Sequence, residues 1–285
     1  MTSQRLLVSY LALLMGVACT QSAQEPVAFA LRARGGAATT ELADGTLLTL
    51  SRAELAFGPF YLCAGAQAGP TCDTALAEWR DSRVLDLLDT APVTLGEITG
   101  YSGRALSYMH DCGIVSLLTQ DEPLVLPAAE ELGGHSAVLE GQADLAVDGA
   151  PNVPFRIELR VASSSEADRG QPVVRSSPGQ FDAVIDAGTT RLTAAFDARA
   201  WLVELDRSAF WQDASCTAES PGVVCAGTVS QDCTAGESTD CAADGQICAP
   251  NQGCQDAVVL DEDSAAGRAV AQAITLTAGL EVLPE

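Results

Sequence analysis

Two short apolar runs on either side of a turn at Pro92, residues 84–88 and 93–98, most constrain how this chain folds. A glycine-rich turn at residues 100–103 then leads into a third run, which ends at residues 109–114. Runs of this length, rich in Val, Ile and Leu and separated by Gly and Pro, are too short for helices and are typical of buried strands. The stretch from residue 83 to residue 118 therefore predicts consecutive β-strands.

Other segments alternate between apolar and polar residues with the period of a half-buried strand. They are residues 27–62, 138–147, 155–161, 181–185 and 192–196. Because these strands are short, are separated by turn residues and do not alternate with helices, they favour two packed antiparallel sheets over a parallel α/β sheet. The sequence therefore predicts a mainly β fold, an antiparallel β-sandwich of the Ig-like type, over residues 27–212.

The charge of the chain narrows the choice of partners. It has 38 acidic residues against 15 basic ones, every basic residue is Arg, and the formal net charge is −23. Nucleic-acid affinity comes largely from basic side chains that displace counterions, so nucleic acid and anionic lipid surfaces are poor partners. The absence of Lys also excludes Schiff-base chemistry.

The first 19 residues are typical of an export signal. Their apolar core is shorter than the roughly 20 residues that span a bilayer as a helix. Residues 16–19 resemble the lipobox of bacterial lipoproteins, which implies that Cys19 is diacylated and becomes the new N-terminus. Gly16 stands where that motif prefers Leu, so ordinary cleavage nearby is the alternative. Residues 20–26 then form a polar tether, and membrane contact is expected through the lipid anchor only.

Ten cysteines support export independently of the signal. Cys63 and Cys72 bracket a small loop and are predicted to form a local disulfide. A second group, predicted to form three bridges, consists of Cys216, Cys225, Cys233, Cys241, Cys248 and Cys254. Their spacing does not match the paired two-residue knuckles of structural zinc sites. Residues 213–285 are therefore predicted to be an acidic, disulfide-rich segment, with a short helix at residues 265–276.

Two kinds of partial motif come close to catalytic signatures. Residues 100–104 miss the G-x-S-x-G nucleophile elbow because Arg104 replaces its last Gly. Asp186 and Asp89 each head a near match to the aspartic-protease signature, but that chemistry needs two complete motifs that share one site. The sequence therefore predicts no enzyme, and these residues are interpreted as turn residues.

A metal site is the main alternative use of the remaining polar residues. Cys112 is left over from the disulfide pattern, and on a strand His110 and Cys112 share one face. A thiol and an imidazole together suit copper, whereas a buried inert thiol and a structural histidine are the competing interpretation. Residues 261–264 fall short of an EF-hand loop and leave calcium as a weaker possibility.

Residues 85–89, 94–96, 100–109 and 113–114, with the Cys63 loop and the cysteines at 241–254, resemble uncharacterised, predicted envelope lipoproteins of high-GC Gram-negative bacteria. Over a shorter stretch the chain is similar to MbnP-like periplasmic copper-binding domains, and this similarity implies a β-sandwich and a copper site built from His and a Trp-derived group. The motif cannot be matched residue by residue to the two His of this chain, or to Trp79, Trp201 or Trp211.

These observations predict an exported outer-membrane lipoprotein that faces the periplasm or the cell surface. It is expected to act as a non-enzymatic binding or structural module for an unknown protein, glycan or small ligand, without a cofactor. The alternative is a periplasmic metal-binding protein, for copper first and calcium second.

Overall fold

The structure is a computed structural model that describes residues 24–66, 72, 75–115, 123–145, 152–161, 180–212, 216–219, 222–225, 246–249 and 253–285. The strands in this part of the chain are β1 (Pro26–Arg34), β2 (Thr39–Glu41), β3 (Leu47–Phe57), β4 (Phe60–Cys63), β5 (Ala75–Trp79), β6 (Arg83–Asp86), β7 (Val93–Tyr101), β8 (Gly103–His110), β9 (Ile114–Val115), β10 (Leu124–Val125), β11 (Ala137–Asp144), β12 (Val153–Leu159), β13 (Gln180–Ile185), β14 (Arg191–Phe196), β15 (Cys216–Glu219), β16 (Gly222–Cys225), β17 (Gln246–Ala249), β18 (Gly253–Asp256), β19 (Val258–Leu260) and β20 (Leu280–Pro284). The helices are α1 (Pro127–Glu131), a 3-10 helix (Ala198–Trp201), α2 (Arg207–Gln212) and α3 (Ala265–Thr275).

Two large sheets form the body. The first has eight strands in the order β13-β8-β4-β5-β7-β1-β14-β20, and the second has the order β19-β12-β11-β3-β2, with β6 also paired to β3. Together they make a nearly closed β structure. The prediction of a mainly β fold is confirmed.

The sheets differ from the predicted Ig-like, wholly antiparallel sandwich because both are mixed. Strand β1 runs parallel to β14, and β12 runs parallel to β19. Both parallel pairs join strands that are far apart in the sequence, and such long-range pairing leaves no trace in local periodicity. The other large-sheet pairs are antiparallel, including the hairpin of β11 and β12 that the sequence predicts.

The final residues of the chain take part in both sheets. Strand β19 extends the second sheet beside β12, and β20 extends the first sheet beside β14. Between them lies α3, which is capped by Ser264, whose hydroxyl accepts a hydrogen bond from the Gly267 amide at 2.9 Å. Val270 and Ile274, four residues apart on one face of α3, are buried against the core.

The core lies between the sheets and contains a cluster of aromatic rings. Phe57 is at its centre, with ring centroids 5.3 Å from Phe196, 5.9 Å from Phe60 and 6.0 Å from Trp79. All four side chains are buried. Alternate residues of β1, β3 and β12 fill the space around them, as their period-two patterns predict.

Candidate functional site

The chain crosses from one large sheet to the other at the turn around Pro92. Strand β6 pairs with β3 in the second sheet, whereas β7 pairs with β1 in the first. The crossing is fixed by backbone hydrogen bonds from the Gly35 amide to the Asp89 carbonyl at 2.6 Å and from the Gly36 amide to the Leu87 carbonyl at 2.9 Å. A Cβ at position 35 would lie 2.0 Å from that Leu87 carbonyl oxygen, so only glycine allows this close approach.

A small cleft lies at this crossing, and we call it the seam cleft. Its volume is about 90 Å³. Its floor is made of the buried side chains of Ala33, Leu85 and Leu95, which belong to β1, β6 and β7. The seam cleft therefore draws its walls from both sheets.

Four charged residues surround that apolar floor. Asp86 and Asp89 each use one carboxylate oxygen to accept a backbone hydrogen bond in their own turn, both at 2.9 Å. Arg34 and Arg83 line the same cleft and are exposed. Arg83 donates to the Thr94 carbonyl at 3.5 Å, and neither guanidinium pairs with a carboxylate among the described residues.

The exposed guanidinium groups are the chemically distinctive part of the cleft. Guanidinium presents a planar set of donors that matches a carboxylate, often with two parallel hydrogen bonds. Elsewhere in the described chain Arg52, Arg104 and Arg199 bind such carboxylates within the protein. Arg34 and Arg83 thus have donors available for a carboxylate that comes from outside.

His110 and Cys112 lie together inside the protein, at the end of β8. Each is 2% exposed, and the Cys112 sulfur lies 3.9 Å from His110 Nδ1. The backbone next to them is held by Gly58, which forms a bridge with Cys112 and donates to the Asp111 carbonyl at 2.9 Å. Strand β8 ends at His110, so Cys112 is not on that strand as predicted, but the two side chains do lie side by side.

Burial decides the charge of His110. It lowers the pKa of the imidazole to about 4, so the ring is neutral at pH 7. The ring packs on Phe57 with centroids 5.3 Å apart, and Nε2 has no hydrogen-bond partner among the described residues. A neutral imidazole is the form that binds metal ions.

The two donor atoms are close enough for one metal ion. Metal–sulfur and metal–nitrogen bonds of about 2.3 Å and 2.0 Å together exceed the 3.9 Å separation, so one ion can contact both donors. In the described part of the chain, however, no cluster of three or more His, Cys, Asp or Glu side chains is suited to a metal. Residues 261–264 accordingly provide no calcium cluster there; Asp261 accepts amide hydrogen bonds in the turn before α3.

The structure gives the contacts of two of the tryptophans considered for the copper-domain resemblance. Phe57 contacts both His110 and Trp79. Trp201 lies elsewhere and donates to the Ala278 carbonyl at 2.7 Å, and the Trp211 side chain is outside the described part. A metal bound by His110 and Cys112 stays a prediction.

The residues of the partial catalytic motifs accept hydrogen bonds from backbone amides. The Ser102 hydroxyl accepts a hydrogen bond from the Glu25 amide at 2.9 Å. Asp186 accepts one from the Gly188 amide at 2.8 Å, and Asp89 takes the corresponding role in the turn before β7. This agrees with their interpretation as turn residues, and the expectation of no enzymatic activity stays a prediction.

The predicted Cys63–Cys72 disulfide is present, with Cα atoms 5.7 Å apart. Of the other predicted sites, Cys19, Cys233 and Cys241 lie outside the described residues. For Cys216, Cys225, Cys248 and Cys254 the structure describes the strands β15 to β18 that contain them.

Sequence reasoning missed the seam cleft. The signal was the alternation Arg32, Ala33, Arg34 in a chain with few basic residues, followed much later by Arg83 at the start of an apolar run. What brings Arg34 and Arg83 together is the crossing between sheets, which local patterns do not reveal.

No protein-family model and no curated protein matches the chain. Among solved structures, MbnP from Methylosinus trichosporium is similar over 64% of this chain and 78% of its own, with 14% identity and a TM-score of 0.34. A similarity of this size does not define a shared fold or function. None of the described helices has the length and apolar character needed to cross a membrane.

Proposed function

We propose that this chain is an exported, lipid-anchored and non-enzymatic binding protein, and that the seam cleft is its binding site. The observation that carries the proposal is the pair of exposed arginines, Arg34 and Arg83, on the rim of an apolar cleft. An apolar floor with a few convergent polar groups is the usual composition of a ligand site. The export signal and Cys19 support the compartment and the anchor.

The size and charge of the cleft indicate its ligand. A volume of about 90 Å³ is well below the roughly 300–1,000 Å³ of pockets that enclose a whole small molecule. The cleft therefore suits one end of a ligand, with an apolar group on Leu85 and Leu95 and a carboxylate between the two guanidinium groups. Asp86, Asp89 and the net charge of −23 disfavour ligands with many negative charges.

A matched pair of peptides tests the proposal. Acetyl-tetra-alanine with a free C-terminal carboxylate is expected to bind in isothermal titration, and the same peptide with a C-terminal amide is expected to bind at least tenfold more weakly. Arg34→Gln combined with Arg83→Gln should remove that difference. Arg104→Gln is the control, because Arg104 is also exposed but pairs with Asp182 at 2.6 Å on another strand pair.

The proposal fails if wild-type protein does not distinguish the two peptides. It also fails if the Arg104 variant loses the difference as fully as the double variant, since the effect would then follow from overall charge.

Copper(I) binding is a second candidate, favoured by the 3.9 Å between Cys112 Sγ and His110 Nδ1. Thiolate and imidazole are ligands that suit copper, and the buried position keeps water from the ion. His110 and Cys112 would each supply one donor atom. The Phe57 ring beside His110 would hold the imidazole in place.

Competition with a chromophoric copper(I) chelator tests this candidate. His110→Ala and Cys112→Ser are each expected to lower the copper(I) affinity at least tenfold. His135→Ala is the matched control, because His135 is the other imidazole of the chain and is half-buried, 4.0 Å from Glu158. Equal affinities in all four proteins would exclude the His110–Cys112 site.

A further inference from the structure

Two hairpins in the cysteine-rich segment place cysteines directly opposite one another. In the hairpin of β15 and β16, Cys216 is paired with Cys225. In the hairpin of β17 and β18, Cys248 is paired with Cys254. Directly opposite residues of an antiparallel pair share one face of the hairpin, with Cα atoms about 4.5–5.5 Å apart. This separation lies within the roughly 4.4–6.8 Å that a disulfide requires.

We infer that Cys216 bonds to Cys225 and Cys248 bonds to Cys254. Six cysteines allow about 15 pairings, so the register of these hairpins selects among them. A slip of one residue in either hairpin would move the cysteines to opposite faces. The register is therefore specific evidence for these partners.

Local closure favours the same pairing. Each proposed bond joins the two strands of one hairpin, and the entropy lost in closing a loop increases with its length. Pairings between the hairpins would close longer loops and would separate cysteines that the hydrogen-bonded strands hold together. In a small acidic segment such bonds hold the hairpins in place of a hydrophobic core.

Formation of these disulfides needs an oxidant, and a protein disulfide can supply it. The two thiols of each pair lose two protons and two electrons in forming one sulfur–sulfur bond. The electrons reduce the disulfide of an exported thiol oxidoreductase to two thiols through a mixed disulfide. This step rests on the export part of the proposed function and is independent of the seam cleft.

Cys112 is excluded as a partner by its position. It carries a thiol and is buried beside His110 in the core of the body. Cys63 is already bonded to Cys72. Neither therefore competes for the hairpin cysteines in the folded protein.

The positions of the aspartates allow a direct test of the two proposed disulfides. Cleavage before each aspartate places Cys216 and Cys225 together on residues 213–231, and Cys248 and Cys254 together on residues 244–255. Cys233 and Cys241 fall on two other peptides, residues 232–239 and 240–243. The exported protein is alkylated after denaturation without reduction, digested in this way and analysed by mass spectrometry.

Each of the two hairpin peptides is expected to be a single peptide, unalkylated and two hydrogen atoms lighter than its reduced form. Residues 44–72, which contain Cys63 and Cys72, are the internal control and should show the same loss. Residues 111–120, with Cys112, should instead be alkylated. Hairpin peptides joined to one another or to the peptides of Cys233 and Cys241 would overturn the pairing. Alkylation of every cysteine would overturn both the pairing and the export on which it rests.

Discussion

His110 is held in its neutral form by its surroundings. Burial lowers its pKa to about 4, against about 6.5 for an imidazole in the unfolded chain. Between these values the unfolded state binds more protons than the folded state, so the free energy of unfolding decreases as the pH falls. Above about pH 6.5 the titration of His110 does not lower the free energy of unfolding. Near pH 4 the decrease that it causes has reached its full size.

This difference predicts a measurable pH dependence. From pH 7 to pH 5 the titration of His110 should lower the free energy of unfolding by about 2 kcal/mol. In His110→Phe the free energy of unfolding should fall less between pH 7 and pH 5 than in wild type, because only the other titrating groups contribute. Urea unfolding at both pH values is the measurement. His135→Phe controls for the removal of an imidazole. Equal decreases in wild type and His110→Phe would show that His110 is not the group responsible.

At the scale of single elements, β7 depends on a glycine next to Trp79. A Cβ at Gly96 would lie 2.5 Å from Trp79 Nε1 and 3.1 Å from Cδ1. The indole is buried and stacked on Phe57, so it has little room to move away. Strands β5 and β7 therefore approach closely because position 96 has no side chain.

Gly96→Ala is expected to lower the free energy of unfolding by about 1–3 kcal/mol through overpacking, and to change the fluorescence of Trp79. Gly188→Ala, in an exposed turn where the nearest atom is a carboxylate oxygen of Asp186, is the control and should have a much smaller effect. Chemical denaturation of both variants is the measurement. If Gly96→Ala has the same free energy of unfolding as wild type, the close packing described for β5 and β7 is wrong.

The elements also show what the sequence could predict. The runs at residues 84–88 and 93–98 and the run after the turn at residues 100–103 contain most of β6, β7 and β8, because each strand follows from local alternation and turn residues. The local disulfide and the closeness of the His110 and Cys112 side chains also depend on residues that are near in the sequence. The sequence could not reveal that β6 and β7 belong to different sheets, since pairing with β3 and β1 depends on distant residues.

Residues 197–210 show the same limit, because the four-residue spacing of Trp201 and Leu205 predicts one helix there. The chain instead forms a 3-10 helix, a turn and then α2. The interruption is fixed from outside the segment, because the Asp44 carboxylate accepts a hydrogen bond from the Arg207 amide at 2.7 Å and pairs with the Arg207 side chain. Asp44 anchors the first residue of α2 from the turn between β2 and β3.

For the whole molecule, the proposed membrane attachment is a lipid anchor at Cys19. A diacylated chain should partition into the detergent phase of a Triton X-114 extract, because two acyl chains give stable membrane attachment. Cys19→Ser should move the protein to the aqueous phase or block its processing. Wild-type protein that partitions into the aqueous phase would show that ordinary signal cleavage takes place.

The most direct test of the central claim is to observe the arginine side chains of the seam cleft while ligand is added. Nitrogen-15 NMR of the Nε–H groups, with the carboxylate and amide forms of acetyl-tetra-alanine, provides this measurement. Saturable shifts are expected at Arg34 and Arg83 with the carboxylate form, with no corresponding shift at Arg104. Unchanged signals from Arg34 and Arg83, or equal shifts at all three residues, would contradict a carboxylate site in the seam cleft.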